Sequence, residues 1–249
     1  SAFYNLANEE MKSDGRNLSI RYVIFGGEAL KPGKLKAWKE KYPRVKLVNM
    51  YGITETTVHV TYQEIGREEI EADISLIGSA IPTLRIYIMD RNQRLAPIGT
   101  PGELYVGGEG VSRGYLNRPG LTAERFIFDR FDKFDRSNRS YKSYIKLYKT
   151  GDMARWLANG TIEFLGRIDQ QVKIRGFRIE PGEIESVLHR YPGINEAVVV
   201  LREDTEGDKN LWAFLCTDTP LVISAVRDYL SGKLPAFMIP SYFVQMEEI

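Results

Sequence analysis

Apolar and polar positions alternate differently in successive parts of the chain. Residues 21–25 (RYVIF) are a β-rich run that ends at two glycines, which predicts a buried strand. In residues 31–42, apolar side chains recur at helical spacing between lysines, so we expect an amphipathic helix ending before Pro43. Residues 45–50 are predicted to form the next strand. This strand–helix–strand order favours parallel pairing, with ligands at the carboxyl ends of the strands.

The pattern of apolar and polar residues changes at Leu84 and again after Arg167. The segments RIYIMD, ELYVGG, IKLYKTGD and TIEFLGRID predict short strands, and Asn159-Gly160 indicates a hairpin turn, so this part is predicted to be antiparallel and barrel-like. Beyond Arg167, strand and helix patterns alternate as in a small α+β unit. We therefore expect two domains, residues 1–168 and 169–249.

Bulk composition excludes several classes of protein. The 249 residues are 43% hydrophobic and 27% charged, which is typical of a soluble globular protein, and the formal net charge is +1. That charge gives no reason to expect nucleic acid or a membrane as partner. A single cysteine, Cys216, forms no intrachain disulfide and fits a cytoplasmic location. Without a signal pattern or an initiator Met, we expect the chain to start inside a longer protein.

The motif NMYGITETT, residues 49–57, has the features of a site for a nucleoside triphosphate. Tyr51 offers a planar ring, and Gly52 lets a ligand approach the backbone. Thr54 can donate a hydrogen bond to a phosphate oxygen. A carboxylate such as that of Glu55 tolerates phosphates when Mg²⁺ lies between them. Taken alone, the Thr-Glu pair is also consistent with a helix cap.

Asp152, in the motif KTGD, is a second candidate. An ionised carboxylate accepts hydrogen bonds and can hold both hydroxyls of a ribose. The alternative is an aspartate that stabilises a turn after Gly151. The motif alone does not decide between them.

Three stretches together resemble the adenylation domains of nonribosomal peptide synthetases: NMYGITETT, residues 102–126, and residues 148–185 (YKTGDMARWLANGTIEFLGRIDQQVKIRGFRIEPGEIE). The resemblance implies a mixed α/β and α+β fold. Its first part would be the C-terminal portion of a large lobe, a strand–helix–strand unit plus a distorted β-barrel, and a small α+β lobe would follow. It also implies ATP and Mg²⁺ as cofactors and phosphopantetheine on a partner carrier protein.

The resemblance assigns roles to individual residues. Catalytic roles fall to Thr54 and Glu55, with Glu55 as the metal ligand. Asp169 corresponds to a hinge, although a surface loop aspartate is the alternative. The nucleotide site would comprise Gly27, Glu28, Asn49, Met50, Tyr51, Gly52, Thr54, Asp152, Phe164 and Arg167. A loop beside the path of the phosphopantetheine arm would comprise Lys173, Arg175 and Gly176, which are otherwise consistent with a solvated cationic face.

The positions that select the amino acid are, by the same resemblance, Ile24, Gly26, Met50, Val58 and His59. This set is similar to that of threonine-activating domains. Gly26 leaves room, the apolar members suit a methyl group, and His59 suits a hydroxyl. The alternative is that His59 is a buried histidine bonded to backbone.

The resemblance implies that the parent enzyme converts an amino acid and ATP to an aminoacyl-adenylate and passes the aminoacyl group to a downstream peptidyl carrier domain, next to a condensation domain. A Gly-rich phosphate loop and a Pro-x-x-x-x-Gly-Lys segment are not found in these residues, so we expect little adenylation by the isolated chain. An acyl-CoA or aryl-acid ligase of the same superfamily and a non-catalytic carrier-docking module are the alternatives.

Overall fold

A computed structural model of the chain describes residues 2–12, 18–129, 145–169, 171–174, 176–203 and 209–248. It has two compact units, Ala2–Asp169 and the residues that follow Asp169. The helices are α1 Ala2–Lys12, α2 Lys36–Lys41, α3 Arg67–Ala72, α4 Pro119–Arg125, α5 Pro181–Leu188 and α6 Ile223–Ser231. The strands are β1 Tyr22–Phe25, β2 Lys46–Asn49, β3 Thr61–Ile65, β4 Leu76–Ala80, β5 Leu84–Met89, β6 Gly102–Gly108, β7 Phe126–Asp129, β8 Ile145–Trp156, β9 Ile162–Arg167, β10 Val172–Ile174, β11 Phe177–Ile179, β12 Glu196–Glu203, β13 Lys209–Cys216 and β14 Tyr242–Met246.

Nine strands of the described residues form the sheet of the first unit. Their order is β1-β2-β3-β4-β9-β8-β6-β5, and β7 pairs with β8. The β1–β2 pair is parallel, as the strand–helix–strand order predicted, and the other pairs in this sheet are antiparallel. The mixed α/β class expected from the sequence is therefore confirmed. Parallel strands place residues 26 and 50 together at the carboxyl end of the β1–β2 pair.

Strand β1 differs from the prediction of a buried strand. It lies at the edge of the sheet, and Tyr22 and Ile24 are 54% and 60% exposed. Successive side chains of a strand face opposite sides, so only Val23 and Phe25 pack against the core. Burial of one face was enough to produce the apolar run that the sequence shows.

The predicted helix over residues 31–42 is present, but its first turn is tighter than an α-helix. Pro32–Leu35 is a 3₁₀ turn, and α2 follows from Lys36. Pro32 has the backbone angle of a helix start, while the Gly33 N–H is bonded to the Asp73 carboxylate, 2.7 Å away. Trp38 of α2 lies in the core beneath β1 and β2.

The β8–β9 hairpin turns at Asn159-Gly160, as predicted. Gly160 has φ +80°, a conformation that glycine adopts without penalty, and the Asn159 side chain accepts a bond from the Thr161 N–H. The hairpin pairs Asp152 with Arg167 near the other end of the two strands. A local turn signal thus determines which two charged residues of the candidate site lie opposite each other.

The second unit is a small α+β structure. Strands β10 and β11 form a hairpin, and β12, β13 and β14 form a three-stranded sheet. One apolar core joins α5 and α6 to this sheet through Ile184, Leu188, Val226 and Leu230. In the described part of the chain, no helix is long and apolar enough to span a membrane.

Candidate active site

The loop that follows β2 is fixed by bonds to neighbouring strands. The buried Asn49 amide donates to the Leu76 carbonyl at 2.7 Å. The Tyr51 carbonyl accepts bonds from the N–H groups of Val60 and Thr61. These bonds fold residues 51–60 back on themselves, so the loop is held at the carboxyl end of β2.

The tip of this loop is strained. A 3₁₀ turn at Thr54–Thr56 is followed by Thr57 and Val58 with φ values of 61° and 69°. Branched side chains are rare in that region of backbone space, and such strain is concentrated at functional sites. The turn leaves Thr54 exposed and directs the side chain of Glu55 into the protein, so that Glu55 is only 7% exposed to solvent.

Glu55 is held by two tyrosines. Its Oε1 atom accepts hydrogen bonds from the hydroxyls of Tyr115, at 2.6 Å, and Tyr148, at 2.9 Å. The two hydroxyl oxygens are 3.0 Å apart. Burial, with the bond to Glu55, raises the pKa of Tyr115 above its usual value, so this phenol stays protonated and donates.

Asp152 is the centre of a second buried network. The residue is 1% exposed, and its two carboxylate oxygens accept bonds from Tyr51 Oη at 2.5 Å and Arg167 Nη1 at 3.0 Å. Burial, with the negative charge of Asp152, raises the pKa of Tyr51 well above its usual value. Tyr51 is thus a neutral donor and Arg167 a cationic one.

Arg167 bridges two carboxylates. Besides Asp152, it donates to both carboxylate oxygens of Asp169, at 2.9 and 2.6 Å, and to the Thr150 carbonyl. Burial opposes the charged form, but the bonds to Asp169 and Asp152 outweigh it, and the pKa of Arg167 is raised. Asp169, predicted as a hinge, is the last residue of the first unit and is tied to the candidate site.

Strand β8 connects the two networks. Tyr148 bonds Glu55 and Asp152 bonds Tyr51, so β8 contacts the loop after β2 at two points. Between Tyr148 and Asp152 the strand bulges, because its pairing with β6 shifts register there and Gly151 has φ +72°. The loop after β2 and the bulged part of β8 therefore bring the two candidate carboxylates into neighbouring networks.

Other predicted nucleotide-site residues lie nearby. The ring centroids of Tyr51 and Phe164 are 6.2 Å apart. Gly27, with φ +84°, and Glu28 follow β1, and Met50 follows β2, at the same end of the parallel pair. The structure thus brings the residues after β1 and β2 to one sheet edge.

Three of the five predicted amino-acid-selecting residues are brought close together. A Cβ atom at Gly26 would be 3.3 Å from the Met50 carbonyl and 3.9 Å from Cε1 of His59. His59 Nδ1 is buried and has no hydrogen-bond partner among the described residues. Ile24 of β1 and Val58 are largely exposed, at 60% and 63%.

In the second unit, the predicted cationic loop is a hairpin. Lys173 of β10 lies opposite Arg178 of β11, and Gly176 forms the turn with φ +81°. Arg175 lies outside the described residues. The role assigned to these residues stays a prediction.

Tyr115 and Tyr148 were not predicted from the sequence as residues of the site. Both lie inside stretches that carried the family resemblance, residues 102–126 and 148–185, yet no role was assigned to them. A tyrosine within a predicted strand, as Tyr148 is, was the available signal, because a buried phenol usually has a polar partner.

Comparisons with known proteins match most of the chain. Residues 1–116 match the family described as AMP-binding enzyme, and residues 183–249 match its C-terminal domain. A plipastatin synthase polypeptide of Bacillus subtilis (strain 168) is 49% identical over 251 residues, which cover 100% of this chain and 9% of that protein. The chain thus spans about a tenth of this curated relative.

Solved structures show the same fold. Holo-PA1221, a nonribosomal peptide synthetase protein with adenylation and PCP domains bound to a vinylsulfonamide inhibitor, aligns with a TM-score of 0.79 and 28% identity over 92% of this chain and 37% of its own. The Vibrio cholerae adenylation domain AlmE, in complex with glycyl-adenosine-5'-phosphate, aligns with a TM-score of 0.80 and 26% identity over 99% and 45%. With the sequence matches, these place the chain in the AMP-binding enzyme family, among the adenylation domains of nonribosomal peptide synthetases.

Proposed function

We propose that this chain forms part of a site that activates an amino acid with ATP. The observation that carries the proposal is that one loop bonds β8 at both candidate carboxylates: Glu55 accepts a bond from Tyr148, and Tyr51 donates one to Asp152. In the proposed binding mode, the ribose lies at Asp152 and the phosphates lie towards Glu55. The solved complex of AlmE with glycyl-adenosine-5'-phosphate supports an aminoacyl-adenylate as the product.

The Asp152 carboxylate has capacity for a ribose. A carboxylate offers about four lone-pair sites, and the bonds from Tyr51 and Arg167 use two of them. Because Asp152 is 1% exposed, ribose hydroxyls reach it only if the side chain of Arg167 moves aside. Arg167 keeps its bonds to Asp169 in that case, so its charge stays paired.

Glu55 fits Mg²⁺ held jointly by protein and nucleotide. Within the described residues, no group of three or more His, Cys, Asp or Glu side chains is placed to hold a metal by itself. Mg²⁺ is commonly bound by one or two carboxylates together with substrate phosphates and water. Glu55 would supply the carboxylate, and the nucleotide would supply the phosphates. When bound, the cation would neutralise the repulsion between Glu55 and the phosphates and charge developing on them.

The proposed reaction has two steps. A carboxylate oxygen of the amino acid attacks the α-phosphorus of ATP, an O–P bond forms, and the bond to pyrophosphate breaks. A phosphopantetheine thiol on a carrier domain then attacks the carbonyl of the mixed anhydride, giving a thioester and AMP. The adenylation and PCP domains of PA1221 support a carrier domain as partner. Low adenylation activity of the isolated 249 residues stays a prediction.

Substitution of Glu55 by glutamine tests the nucleotide site. Gln keeps the shape and a hydrogen-bond acceptor for the tyrosines but removes the charge. The unmodified chain should bind ATP more tightly with Mg²⁺ than with a chelator. Glu55→Gln should reduce this gain by at least about tenfold, because loss of one member of a buried charge pair costs about 2–5 kcal/mol. Titration calorimetry with and without Mg²⁺ measures the gain.

Glu10→Gln is the matched control. Glu10 is also buried and also accepts a tyrosine bond, from Tyr42 at 2.5 Å, but it belongs to α1. The Mg²⁺-dependent gain should be unchanged in this variant. Equal gains in Glu55→Gln and the unmodified chain would remove the metal role from Glu55.

Threonine is the amino acid that we propose. The support is His59, whose buried Nδ1 has no bond among the described residues and lies beside the space left by Gly26. A stable threonyl-adenylate analogue should bind about 5- to 150-fold more tightly than its valyl counterpart, because an unsatisfied buried polar group costs about 1–3 kcal/mol.

His59→Phe should abolish that preference, whereas His189→Phe should keep it. His189 is the other histidine of the chain and is exposed in the second unit. Competitive binding of the two analogues measures the ratio for each variant. A valyl analogue that binds the unmodified chain as tightly as the threonyl one contradicts the threonine assignment.

A further inference from the structure

Tyr115 and Tyr148 reach Glu55 from separate parts of the first unit. Tyr148 belongs to β8, and Tyr115 precedes α4. They are 60 and 93 residues away from Glu55 in sequence, yet both hydroxyls bond the same oxygen, Oε1. With 3.0 Å between the hydroxyls, the three groups form a closed triangle.

The two phenols are themselves rigidly held. Phe126 packs against both rings, with centroid distances of 5.5 Å to Tyr115 and 4.9 Å to Tyr148. The Tyr115 N–H is bonded to the Thr122 hydroxyl at 3.0 Å, which fixes the backbone at Tyr115. Neither phenol can follow Glu55 if the carboxylate rotates, so the arrangement favours one rotamer of Glu55.

Tyr115 and Tyr148 are neutral donors to Glu55, whereas one of the donors to Asp152 is a cation. Arg167 forms an ion pair with Asp152, whereas the phenols bond Glu55 without contributing a positive charge. Both phenols bond Oε1, so neither occupies Oε2. These bonds hold the carboxylate in one orientation and place no positive charge of their own beside it.

We propose that Tyr115 and Tyr148 are positioning residues that orient the Glu55 carboxylate towards the cation of the bound nucleotide. This inference rests on the proposed function of Glu55. The principle is that partners which orient a metal-binding side chain matter almost as much as the ligand, and their loss typically lowers metal affinity or activity about 10- to 100-fold.

Tyrosine-to-phenylalanine variants test the inference on the 249-residue chain. Tyr115→Phe and Tyr148→Phe remove one hydroxyl each and keep the rings against Phe126. Each should lower the affinity for Mn²⁺ in the presence of ATP, measured by electron paramagnetic resonance, by about 10-fold or more. The affinity for ATP, measured with a chelator that removes divalent cations, should stay within about twofold of that of the unmodified chain. In the proposed geometry, neither hydroxyl contacts the nucleotide.

Tyr42→Phe is the matched control. It also removes a buried hydroxyl from a buried glutamate, at 2.5 Å, but from the Glu10 pair. If the bonds at Glu55 serve the fold alone, the three variants should lower the melting temperature similarly and leave Mn²⁺ affinity unchanged. That result would overturn the positioning role.

The outcomes separate this inference from the function on which it rests. An unmodified chain that binds ATP with no Mg²⁺-dependent gain overturns the proposed function of Glu55 and, with it, the role of the tyrosines. A gain that Glu55→Gln abolishes but Tyr115→Phe and Tyr148→Phe retain overturns only the role of the tyrosines. Loss of Mn²⁺ affinity in Glu55→Gln, Tyr115→Phe and Tyr148→Phe, with Tyr42→Phe unaffected, supports the inference.

Discussion

Replacing Asp152 with alanine is expected to lower the free energy of unfolding of the first unit by about 3 kcal/mol and to weaken ATP binding by roughly 100-fold or more. Breaking a buried ion pair costs about 3–5 kcal/mol when the remaining charge loses its partner. Arg167 keeps two bonds to Asp169, so the lower end of that range applies. Hydrogen bonds to a charged group contribute about 1.5–3 kcal/mol each, and a ribose would lose two.

The isosteric variant Asp152→Asn measures how much of each effect depends on the charge of Asp152. Asn retains an acceptor for Tyr51 but has no charge to pair with Arg167, so both effects should persist in reduced form. Asp218→Ala is the control, because Asp218 accepts one exposed bond, from Asn195 in the second unit. Surface substitutions of this kind change stability by about 0.5 kcal/mol or less.

Urea unfolding and ATP titration measure the two quantities. Trp38 and Trp156 lie in the first unit and Trp212 in the second, so fluorescence in a Trp212→Phe background reports on the first unit alone. ATP binding by Asp152→Ala at the affinity of the unmodified chain would exclude a ribose contact at Asp152. Unchanged stability would contradict the buried pair with Arg167.

Local sequence patterns predicted the helices and strands well, but not how deeply each of them is buried. The hairpin at Asn159-Gly160 and the parallel β1–β2 pair followed from turn chemistry and element order. The edge position of β1 did not, because a four-residue apolar run looks alike whether one face or both are covered. Strand β14, which pairs in parallel with β13, was missed because that pairing depends on a contact about 30 residues away along the chain.

The candidate site shows the same division. The motifs indicated Glu55 and Asp152 as chemical groups, but not the side chains that hold them. Asp152 and Arg167 were each predicted to contact the nucleotide, whereas the register of β8 and β9 pairs them with each other. The bonds from Tyr115 and Tyr148 to Glu55 arise from long-range packing, which a sequence pattern does not encode.

Gly52→Ala is expected to destabilise the first unit by about 3 kcal/mol and to disturb both Glu55 and His59. A Cβ atom at Gly52 would be 1.7 Å from the Val58 carbonyl oxygen and 2.8 Å from the Cα of His59. Overpacking costs typically about 1–3 kcal/mol, and the upper end applies because backbone, not a flexible side chain, has to move. A side chain at Gly52 has no space because the returning chain, at Val58 and His59, packs directly against this residue.

The returning chain has little freedom to yield. Thr57 and Val58 already have positive φ values, and the Val58 N–H is bonded to the Ile53 carbonyl at 3.2 Å. Moving Val58 away from the new methyl group would break that bond or displace the turn that carries Glu55. We therefore expect Gly52→Ala to lose the Mg²⁺-dependent gain in ATP affinity as well as stability.

Two other glycines provide controls for this substitution. Gly120 lies within α4 with open space around it, so Gly120→Ala should be neutral or stabilising by up to about 1 kcal/mol. Gly99 also has open space but φ +83°, so Gly99→Ala measures backbone strain without a clash. Fluorescence-monitored urea unfolding should rank Gly52→Ala as the least stable of the three. If Gly52→Ala instead unfolds together with Gly120→Ala, the loop after Tyr51 does not fold back as closely as the structure shows, and the placement of Glu55 beside β8 loses its support.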